Sequence, residues 1–226
     1  MIKFKYGELF CGPGGMALGA KMSKITHKGQ RYGLAHAWAN DIDEDSCKTY
    51  AKNICPSEKE SITALPVDKY LTSKRMKSLE PIDIFAYGFP CNDFSLVGER
   101  KGINGKFGPL YSYGVKVLNY FRPKVFVAEN VGGIASSNSG MAFKKICDDL
   151  QNAGNGYVIT KHKYRSELYS VPQLRHRIII VGIDQSLGLK FQVPVPLNDK
   201  DSVISASEAI GNGAIPSDSP NNEEYE

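Results

Sequence analysis

The sequence predicts an α/β fold built on a doubly wound, mostly parallel β-sheet. Short apolar runs alternate along the chain with segments of helical spacing, which is typical of β-α units around a parallel sheet. The run 82–87 is apolar without interruption, as expected of a strand that is buried on both faces. A glycine-rich turn at 12–15 separates the first predicted strand from the first predicted helix. These three observations indicate the fold class.

The predicted elements follow one another as strands and helices in alternation. The predicted strands are 6–10, 34–39, 82–87, 125–128, 157–161 and 178–181. The predicted helices are 16–25, about 43–53, 109–121, 143–150 and a short one at 205–210. Beyond about residue 190 the periodic apolar pattern fades. We therefore expect one domain over residues 1–190, followed by a linker or the start of another region over 191–226.

Length and composition exclude several classes of protein. The 226 residues suffice for one well-buried domain, and 42% hydrophobic with 23% charged residues is near the globular average. No apolar run approaches the length of a membrane span, and the N-terminus lacks a signal-peptide core. The formal charge of +4 is compatible with a polyanionic partner but does not establish one. The expectation is a cytoplasmic protein.

The five cysteines do not form a recognisable framework. They are Cys11, Cys47, Cys55, Cys91 and Cys147. The number is odd and no pair has C-x-x-C spacing, so neither disulfides nor a zinc site are expected. A free cysteine is more often a buried core residue than a nucleophile. One beside turn residues can nevertheless be reactive.

The glycine turn and a following acid indicate a nucleotide-like cofactor. The spacing Gly12-x-Gly14-x-x-Ala17 fits the loose dinucleotide-binding pattern, although a simple tight turn explains it equally well. Asp41 ends the second predicted strand, where a carboxylate can accept both ribose hydroxyls. It can also be read as the N-cap of the next helix. These residues leave the cofactor open between NAD and S-adenosylmethionine.

Cys91 follows the buried strand 82–87 in the turn Gly-Phe-Pro-Cys-Asn-Asp-Phe-Ser. Ligands of open α/β sheets gather at the carboxyl ends of the strands, so this thiol is expected at the mouth of the crevice. Backbone N–H groups in such a turn can lower the pKa of a thiol and prepare it for covalent catalysis. A hydride-transferring enzyme would leave this residue unexplained.

Two further polar clusters follow strands. Glu129 comes directly after the strand 125–128 and would lie beside the thiol at the same sheet edge. Strand alternation places Gln173, Arg175 and Arg177 on one face before the strand 178–181. Read alone, that cluster is equally consistent with a solvated edge strand. Next to a thiol and a carboxylic acid, two guanidiniums indicate base edges and phosphate as ligands.

The order of these motifs resembles the DNA cytosine-5 methyltransferase family. The matching segments are 12–15, Asn40-Asp41, Phe89-Pro90-Cys91, Glu129-Asn130-Val131 and Gln173-x-Arg175-x-Arg177. The resemblance covers about residues 6–183. It implies a Rossmann-like class I methyltransferase fold that binds S-adenosylmethionine and releases S-adenosylhomocysteine, needs no metal and acts on double-stranded DNA.

The resemblance also implies catalytic roles. Cys91 would add to C6 of a cytosine flipped out of the duplex, and Glu129 would hold and protonate N3. Either Arg175 or Arg177 would contact the base O2 and the thiol-bearing loop, with Arg177 favoured for O2. Asn130 matches the residue that steadies that loop through backbone hydrogen bonds.

The implied ligand contacts extend to the cofactor and DNA. The first motif supplies Phe10, Gly12, Pro13, Gly14 and Gly15. Asp41 would bind the ribose, Ile42 would cover the adenine and Asp68 would accept the adenine amino group. Leu110 would border the methionine moiety, and Pro90 would also contact the cofactor. Asn92, Ser95 and Gln173 would contact DNA; Asn92 stands where the family more often has Gln, so its contacts would be rearranged.

The C-terminal part departs from the family pattern. The family continues into a target-recognition lobe and a last G-N-S/A-V motif. Gly211-Asn212-Gly213-Ala214 resembles that motif, but no amphipathic helix follows it, so we do not expect it to be equivalent. The expectation is a truncated chain or one subunit of a split enzyme whose partner supplies recognition. The alternatives are a tRNA methyltransferase, whose P-P-C and C-F-T signatures are absent, and a catalytically inactive regulatory subunit.

Overall fold

The computed structural model describes residues 1–89, 110–134, 140–199 and 202–211. The strands are β1 (Ile2–Leu9), β2 (Lys24–His27), β3 (Gln30–Asp41), β4 (Ile62–Ala64), β5 (Ile84–Gly88), β6 (Val125–Val131), β7 (Tyr157–Arg165) and β8 (His176–Asp184). The helices are α1 (Gly15–Met22), α2 (Glu44–Asn53), α3 (Val67–Thr72), α4 (Lys74–Lys77), α5 (Tyr111–Phe121), α6 (Met141–Gln151) and α7 (Ala206–Ile210).

The described strands form one sheet that is parallel in the middle and antiparallel towards both edges. Its order is β2-β3-β1-β5-β6-β8-β7, and β4 pairs additionally with β3. β3, β1, β5 and β6 run parallel, as does β4 against β3. β2 is antiparallel to β3, and β8 is antiparallel to both β6 and β7. The predicted α/β class with a mostly parallel sheet is confirmed.

Helices cover both faces of the sheet. Side chains alternate along β5, so Phe85 and Tyr87 join one hydrophobic cluster while Ala86 joins the other. The first cluster includes Val117 of α5, and the second includes Tyr50 of α2. Burial of β5 on both faces explains the uninterrupted apolar run in the sequence.

The first predicted helix is wrong at its C-terminal end. α1 ends at Met22, and Ser23 closes it by donating its N–H to the carbonyls of Gly19 and Ala20. The next residues form β2, which pairs with β3 across a two-residue turn. Lys28 and Gly29 both have positive φ, 47° and 77°, as the tight turns of β-hairpins require.

The structure also differs from the sequence prediction in two other places. β4, α3 and α4 lie between residues 62 and 77, where the sequence shows no clear period. β8 begins at His176, so the predicted strand alternation is wrong at Gln173. Gln173 lies in a turn, where its N–H donates to the Val171 carbonyl at 2.8 Å.

The segment after β8 is held against the edge strand β7. Thr160 Oγ1 donates to the Phe191 carbonyl at 3.1 Å, and the Tyr169 hydroxyl donates to the Pro194 carbonyl at 2.9 Å. The predicted short helix is present as α7, and its Ser205 forms a capping box with Glu208. The domain boundary at residue 190 stays a prediction.

The carboxyl ends of the parallel strands meet at one edge of the sheet, here called the active edge. It is formed by Leu9 of β1, Asp41 of β3, Gly88 of β5 and Val131 of β6. In the described ranges, no helix has the length and apolarity to cross a membrane. The same part of the chain holds no group of three or more side chains arranged to bind a metal ion.

Candidate active site

The glycine turn between β1 and α1 packs against Tyr50 and Ile54 on one side and faces open space on the other. Gly14 has φ 102°, and a Cβ there would lie 3.0 Å from the Tyr50 ring, so a side chain is excluded by conformation and by space. Gly12 also has a positive φ, 50°. A Cβ on Gly12 or Gly15 would meet no described atom within 4 Å. The turn therefore leaves a backbone-lined cradle on its outer side.

Asp41 links the end of β3 to this turn. Its Oδ2 accepts the Gly12 N–H at 2.8 Å, and its Oδ1 accepts the Asp43 N–H at 3.0 Å. The N-cap of α2 is Asp43, whose carboxylate accepts the amides of Asp45 and Ser46. The capping alternative for Asp41 is therefore wrong. A carboxylate can accept about four hydrogen bonds, so Asp41 retains acceptor sites for a ligand.

Apolar side chains lie exposed next to Asp41. Ile42 is 70% exposed, and the Leu65 N–H donates to the Asp41 carbonyl at 2.9 Å. Leu65 is 37% exposed at the end of β4 and is a contact that the sequence did not indicate. An open glycine cradle, an acid with spare acceptor sites and exposed aliphatic side chains fit the ribose and adenine of a nucleoside cofactor.

Two predicted cofactor residues lie farther along the chain. Asp68 is in the first turn of α3 and is exposed, and it lines a shallow cavity with Tyr113 and Lys116 of α5. Leu110 is half-buried at the start of α5. Pro13 is exposed within the glycine turn. The roles assigned to these residues stay predictions.

A buried polar network lies beneath the glycine turn. Glu8 is fully buried in β1, and its Oε2 accepts the Tyr50 hydroxyl at 3.2 Å. His36 Nδ1 lies 3.2 Å from the same hydroxyl, and its Nε2 lies 2.6 Å from Ser61 Oγ. Burial raises the pKa of Glu8 to about 8 and lowers the pKa of His36 to about 4. The only sequence signal for this network is a glutamate inside an apolar strand.

The predicted nucleophile follows β5. Phe89 is buried and is the last residue described before position 110. Pro90, Cys91, Asn92 and Ser95 lie outside the described residues. The other four cysteines are buried, and burial raises the pKa of each thiol. They are Cys11, Cys47, Cys55 and Cys147.

Glu129 meets both predicted arginines. Arg177 Nε lies 2.9 Å from Glu129 Oε1, and Arg175 Nη2 lies 3.8 Å from the same oxygen. Glu129 is paired with Gly88 across the parallel strands, and a Cβ on Gly88 would lie 3.3 Å from Glu129 Oε2. The carboxylate is therefore close to the backbone three residues before Cys91. The two guanidiniums orient this carboxylate.

Asn130 binds the backbone on the opposite face of β6. Its side chain is buried; Nδ2 donates to the Phe89 carbonyl at 3.0 Å, and Oδ1 accepts the Val131 N–H at 2.8 Å. Asn130 thus fixes the start of the segment that contains Cys91.

A partly buried contact between Glu167 and His176 that the sequence did not indicate lies next to the arginines. Glu167, in a 3₁₀ turn after β7, is buried, and its Oε1 lies 2.8 Å from His176 Nε2. His176 stands between Arg175 and Arg177 and points to the other face, and its carbonyl accepts Arg177 Nη1 at 2.9 Å. The Glu167–His176 contact holds the start of β8, so that Arg177 on the strand and Arg175 directly before it both reach Glu129. Gln173 is exposed in the preceding turn.

The fold and the arrangement of this edge define the class of Rossmann-like methyltransferases. The sequence profile described as C-5 cytosine-specific DNA methylase matches residues 4–225, and the chain belongs to this family. The resemblance drawn from the sequence motifs is confirmed.

Curated relatives and solved structures are consistent with this assignment. The chain is 51% identical to the type II methyltransferase M.BbvI of Brevibacillus brevis, an alignment that covers 98% of the chain and 59% of the relative. It is 33% identical to the type II methyltransferase M.NgoFVII of Neisseria gonorrhoeae, covering 98% and 56%. The chain thus spans a little over half the length of these relatives.

The structural comparisons show the fold. A prophage-encoded protein of E. coli superimposes with a TM-score of 0.69 at 24% identity, over 92% of the chain and 54% of that protein. The Entamoeba histolytica methyltransferase EhMeth superimposes with a TM-score of 0.62 at 22% identity, over 85% and 57%.

Proposed function

We propose that this chain carries the catalytic region of a restriction-modification DNA cytosine-5 methyltransferase that uses S-adenosylmethionine and acts in the cytoplasm on double-stranded DNA. The observation that carries the proposal is the position of Glu129. Arg175 and Arg177 hold its carboxylate beside Gly88, at the start of the segment that contains Cys91. The relatives are named type II methyltransferases, which supports the biological setting.

In the proposed reaction the Cys91 thiolate forms a bond to C6 of a flipped cytosine. The electrons of the C5–C6 double bond move to C5, which becomes nucleophilic, while Glu129 holds and protonates N3 so that charge does not build on the ring. S-adenosylmethionine, when bound, supplies the methyl group that C5 takes up. Loss of the C5 proton to a base, with return of the N3 proton to Glu129, then re-forms the C5–C6 double bond, breaks the C6–sulfur bond and releases the Cys91 thiolate.

The arginines have a double role in this scheme. Arg177 is three-quarters buried and is oriented by two contacts, so it can donate to the base O2 in a fixed geometry. Arg175 is about half exposed and less closely engaged with Glu129, and it can contact the segment containing Cys91. We assign O2 recognition to Arg177.

The cofactor would lie across the glycine turn and the end of β3. Backbone N–H groups of the turn approach it because Gly12 and Gly15 present no side chain, Asp41 accepts the ribose hydroxyls and Ile42 covers the adenine. Asp68 is retained as the proposed partner of the adenine amino group.

Burial of the other four thiols supports Cys91 as the nucleophile, because each has a raised pKa and little access to a substrate. The test is a covalent adduct with a 5-fluorocytosine duplex in the presence of labelled S-adenosylmethionine. We expect Cys91→Ala to abolish the adduct and Cys147→Ala, a core position in α6, to retain it. An adduct that forms equally well with Cys91→Ala would overturn the mechanism.

Two further arms of this experiment define the substrate and the partner. A 5-fluorocytosine RNA that reacts in preference to DNA would replace DNA as the substrate, and DNA binding without an adduct would indicate a regulatory function. Because the chain spans 59% of M.BbvI, the C-terminal remainder of that relative is supplied in a parallel sample. Reaction only in the supplemented sample would support a second subunit or further region that carries target recognition.

A further inference from the structure

The edge strand β7 carries three exposed cationic side chains at alternate positions. Lys161, Lys163 and Arg165 therefore share one face of the strand. Lys163 pairs in register with Ile178 and Arg165 pairs with His176 of β8. Because β8 begins at the active edge, the last two cations lie at that edge and Lys161 lies farther from it.

Lys163 leans across the sheet towards the candidate site. A Cβ on Gly132 would lie 3.3 Å from Lys163 Cε and 3.8 Å from its Nζ. Gly132 directly follows the Glu129-Asn130-Val131 motif. The ammonium group is thus placed beside the backbone that leaves this motif, and the absence of a side chain at position 132 leaves room for it.

These cations differ from those of the neighbouring helix. Lys144 and Lys145 of α6 each pair with an aspartate one helical turn farther along. Across the described ranges, neither Lys163 nor Arg165 forms an ion pair with a carboxylate. Lys163 and Arg165 thus differ from the lysines of α6, which are balanced by aspartates on the same helix, although the charge of Arg165 also acts on Glu167.

The balance of charge around β7 and β8 is positive. Within residues 160–179 and the end of β6, the cationic side chains are Lys161, Lys163, Arg165, Arg175 and Arg177. The carboxylates of the same part of the chain are Glu129 and Glu167. Lys161, Lys163 and Arg165 lie opposite Ile180, Ile178 and His176 and so share the sheet face of Asn130, whereas Arg177 lies on the face of Glu129. Cations from both faces meet at the active edge, and a positively charged edge beside a base-binding site favours a polyanion.

We propose that Lys163 and Arg165 bind phosphate groups of the DNA backbone next to the cytosine held by Glu129. The inference rests on the proposed function and adds the surface that orients the duplex. Phosphate contacts carry no sequence information but fix the register of a protein on DNA. They also make the affinity fall with salt, because each contact releases condensed counterions.

The test uses the 226-residue chain and the fluorescence anisotropy of a labelled duplex over a series of NaCl concentrations. We expect Lys163→Gln and Arg165→Gln each to reduce the slope of log affinity against log salt by about 0.9, the value for one lost phosphate contact. Lys144→Gln, which makes the same change in net charge on α6, is expected to leave the slope unchanged. Lys163→Arg is expected to retain the parental slope.

Slopes of Lys163→Gln and Arg165→Gln equal to that of the parent, at matched thermal stability, would overturn the proposal. So would a parental chain whose binding to the duplex does not depend on salt. Loss of solubility with an unchanged slope would indicate instead that the lysines only protect the strand edge from pairing. The adduct assay distinguishes failure of this inference from failure of the proposed function. An adduct with unchanged slopes overturns this inference alone, whereas the absence of an adduct in both the unsupplemented and the supplemented sample overturns the proposed function.

Discussion

The two halves of the active edge differ in the chemical character of the groups that form them. Around β1 and β3, the glycine turn is supported by buried polar groups that burial drives towards their neutral forms, Glu8 and His36, with Tyr50 between them. Around β6 and β8, the edge is lined by charged groups that are partly exposed, above all Glu129 with Arg177. One half depends on backbone shape and volume, and the other on the balance of charge.

This difference separates stability from chemistry. The ion pairs of Glu129 are partly solvated, so their contribution to folding is modest, and the geometry is set by the neighbouring Glu167–His176 contact and by Asn130. In the network beneath the glycine turn Glu8 and Tyr50 are fully buried, so loss of either partner leaves a buried polar atom unsatisfied. We therefore expect changes around β6 to reduce turnover and changes around β1 to reduce stability and cofactor affinity together.

The largest effect is expected for Glu129→Gln. Loss of the proton donor to N3 should lower the rate of methyl transfer by about 10²–10⁴-fold, the usual contribution of a general acid. The melting temperature should change little because the side chain is partly exposed and glutamine keeps its shape. Labelled methyl transfer and thermal melting measure the two quantities. Glu80→Gln, an exposed carboxylate paired with Lys5, is the control, and a Glu129→Gln turnover equal to this control would refute the role.

The next largest effect is expected for Asn130→Ala, which should affect both stability and adduct formation. The substitution leaves the Phe89 carbonyl and the Val131 N–H without their partner, at a cost of about 1–3 kcal/mol for each buried group. It should also slow adduct formation, because the segment containing Cys91 loses its anchor. Urea denaturation measures the stability, and adduct kinetics measure the rate of adduct formation. Asn119→Ala is not a suitable control, because the Asn119 side chain accepts the Gly154 N–H. Unchanged stability would show that the buried hydrogen bonds are replaced.

A pair of glycine substitutions separates shape from ligand contact. Gly14→Ala should reduce both stability, by about 1–3 kcal/mol, and cofactor affinity, because φ 102° is strained for alanine and its Cβ would press on Tyr50. Gly15→Ala should preserve the melting temperature and reduce only the affinity for S-adenosylmethionine, because its Cβ enters open space. Calorimetric titration and thermal melting distinguish the two. Equal affinity in Gly15→Ala and the parent would argue against the cofactor cradle.

Features that follow from periodicity and motif spacing could be predicted, and most of the side-chain networks could not. Hydrophobic periodicity and motif spacing predict the central strands, the glycine turn, Asp41 and the neighbouring positions of Arg175 and Arg177. The hairpin after α1 was missed because Ile25 satisfies both a helical and an alternating pattern.

The buried networks were missed for a different physical reason. Glu8 and Tyr50 are 42 positions apart, and only the packing of α2 on β1 brings them together. Glu167 and His176 are nine positions apart and lie on either side of the turn that contains Gln173. The sequence prediction placed strand alternation at Gln173 instead of a turn. A charged residue within an apolar run indicates that a partner exists, but the sequence does not identify it.

The smallest expected effect is the pH dependence contributed by Glu8. Its pKa is raised from 4.5 to about 8, so the folded state favours the protonated carboxyl, and this contribution to stability is lost as the pH rises through 8. Between about pH 6.5 and 8 the loss amounts to about 1–2 kcal/mol. His36, with a pKa lowered from 6.5 to about 4, costs stability in the opposite direction, as the pH falls below 6.5. Glu8→Gln should therefore remove the decline of the melting temperature between pH 6.5 and 8 and steepen its rise between about pH 4.5 and 6.5, where the contributions of Glu8 and His36 oppose each other. A variant that retains the parental decline would place its origin outside the β1 network.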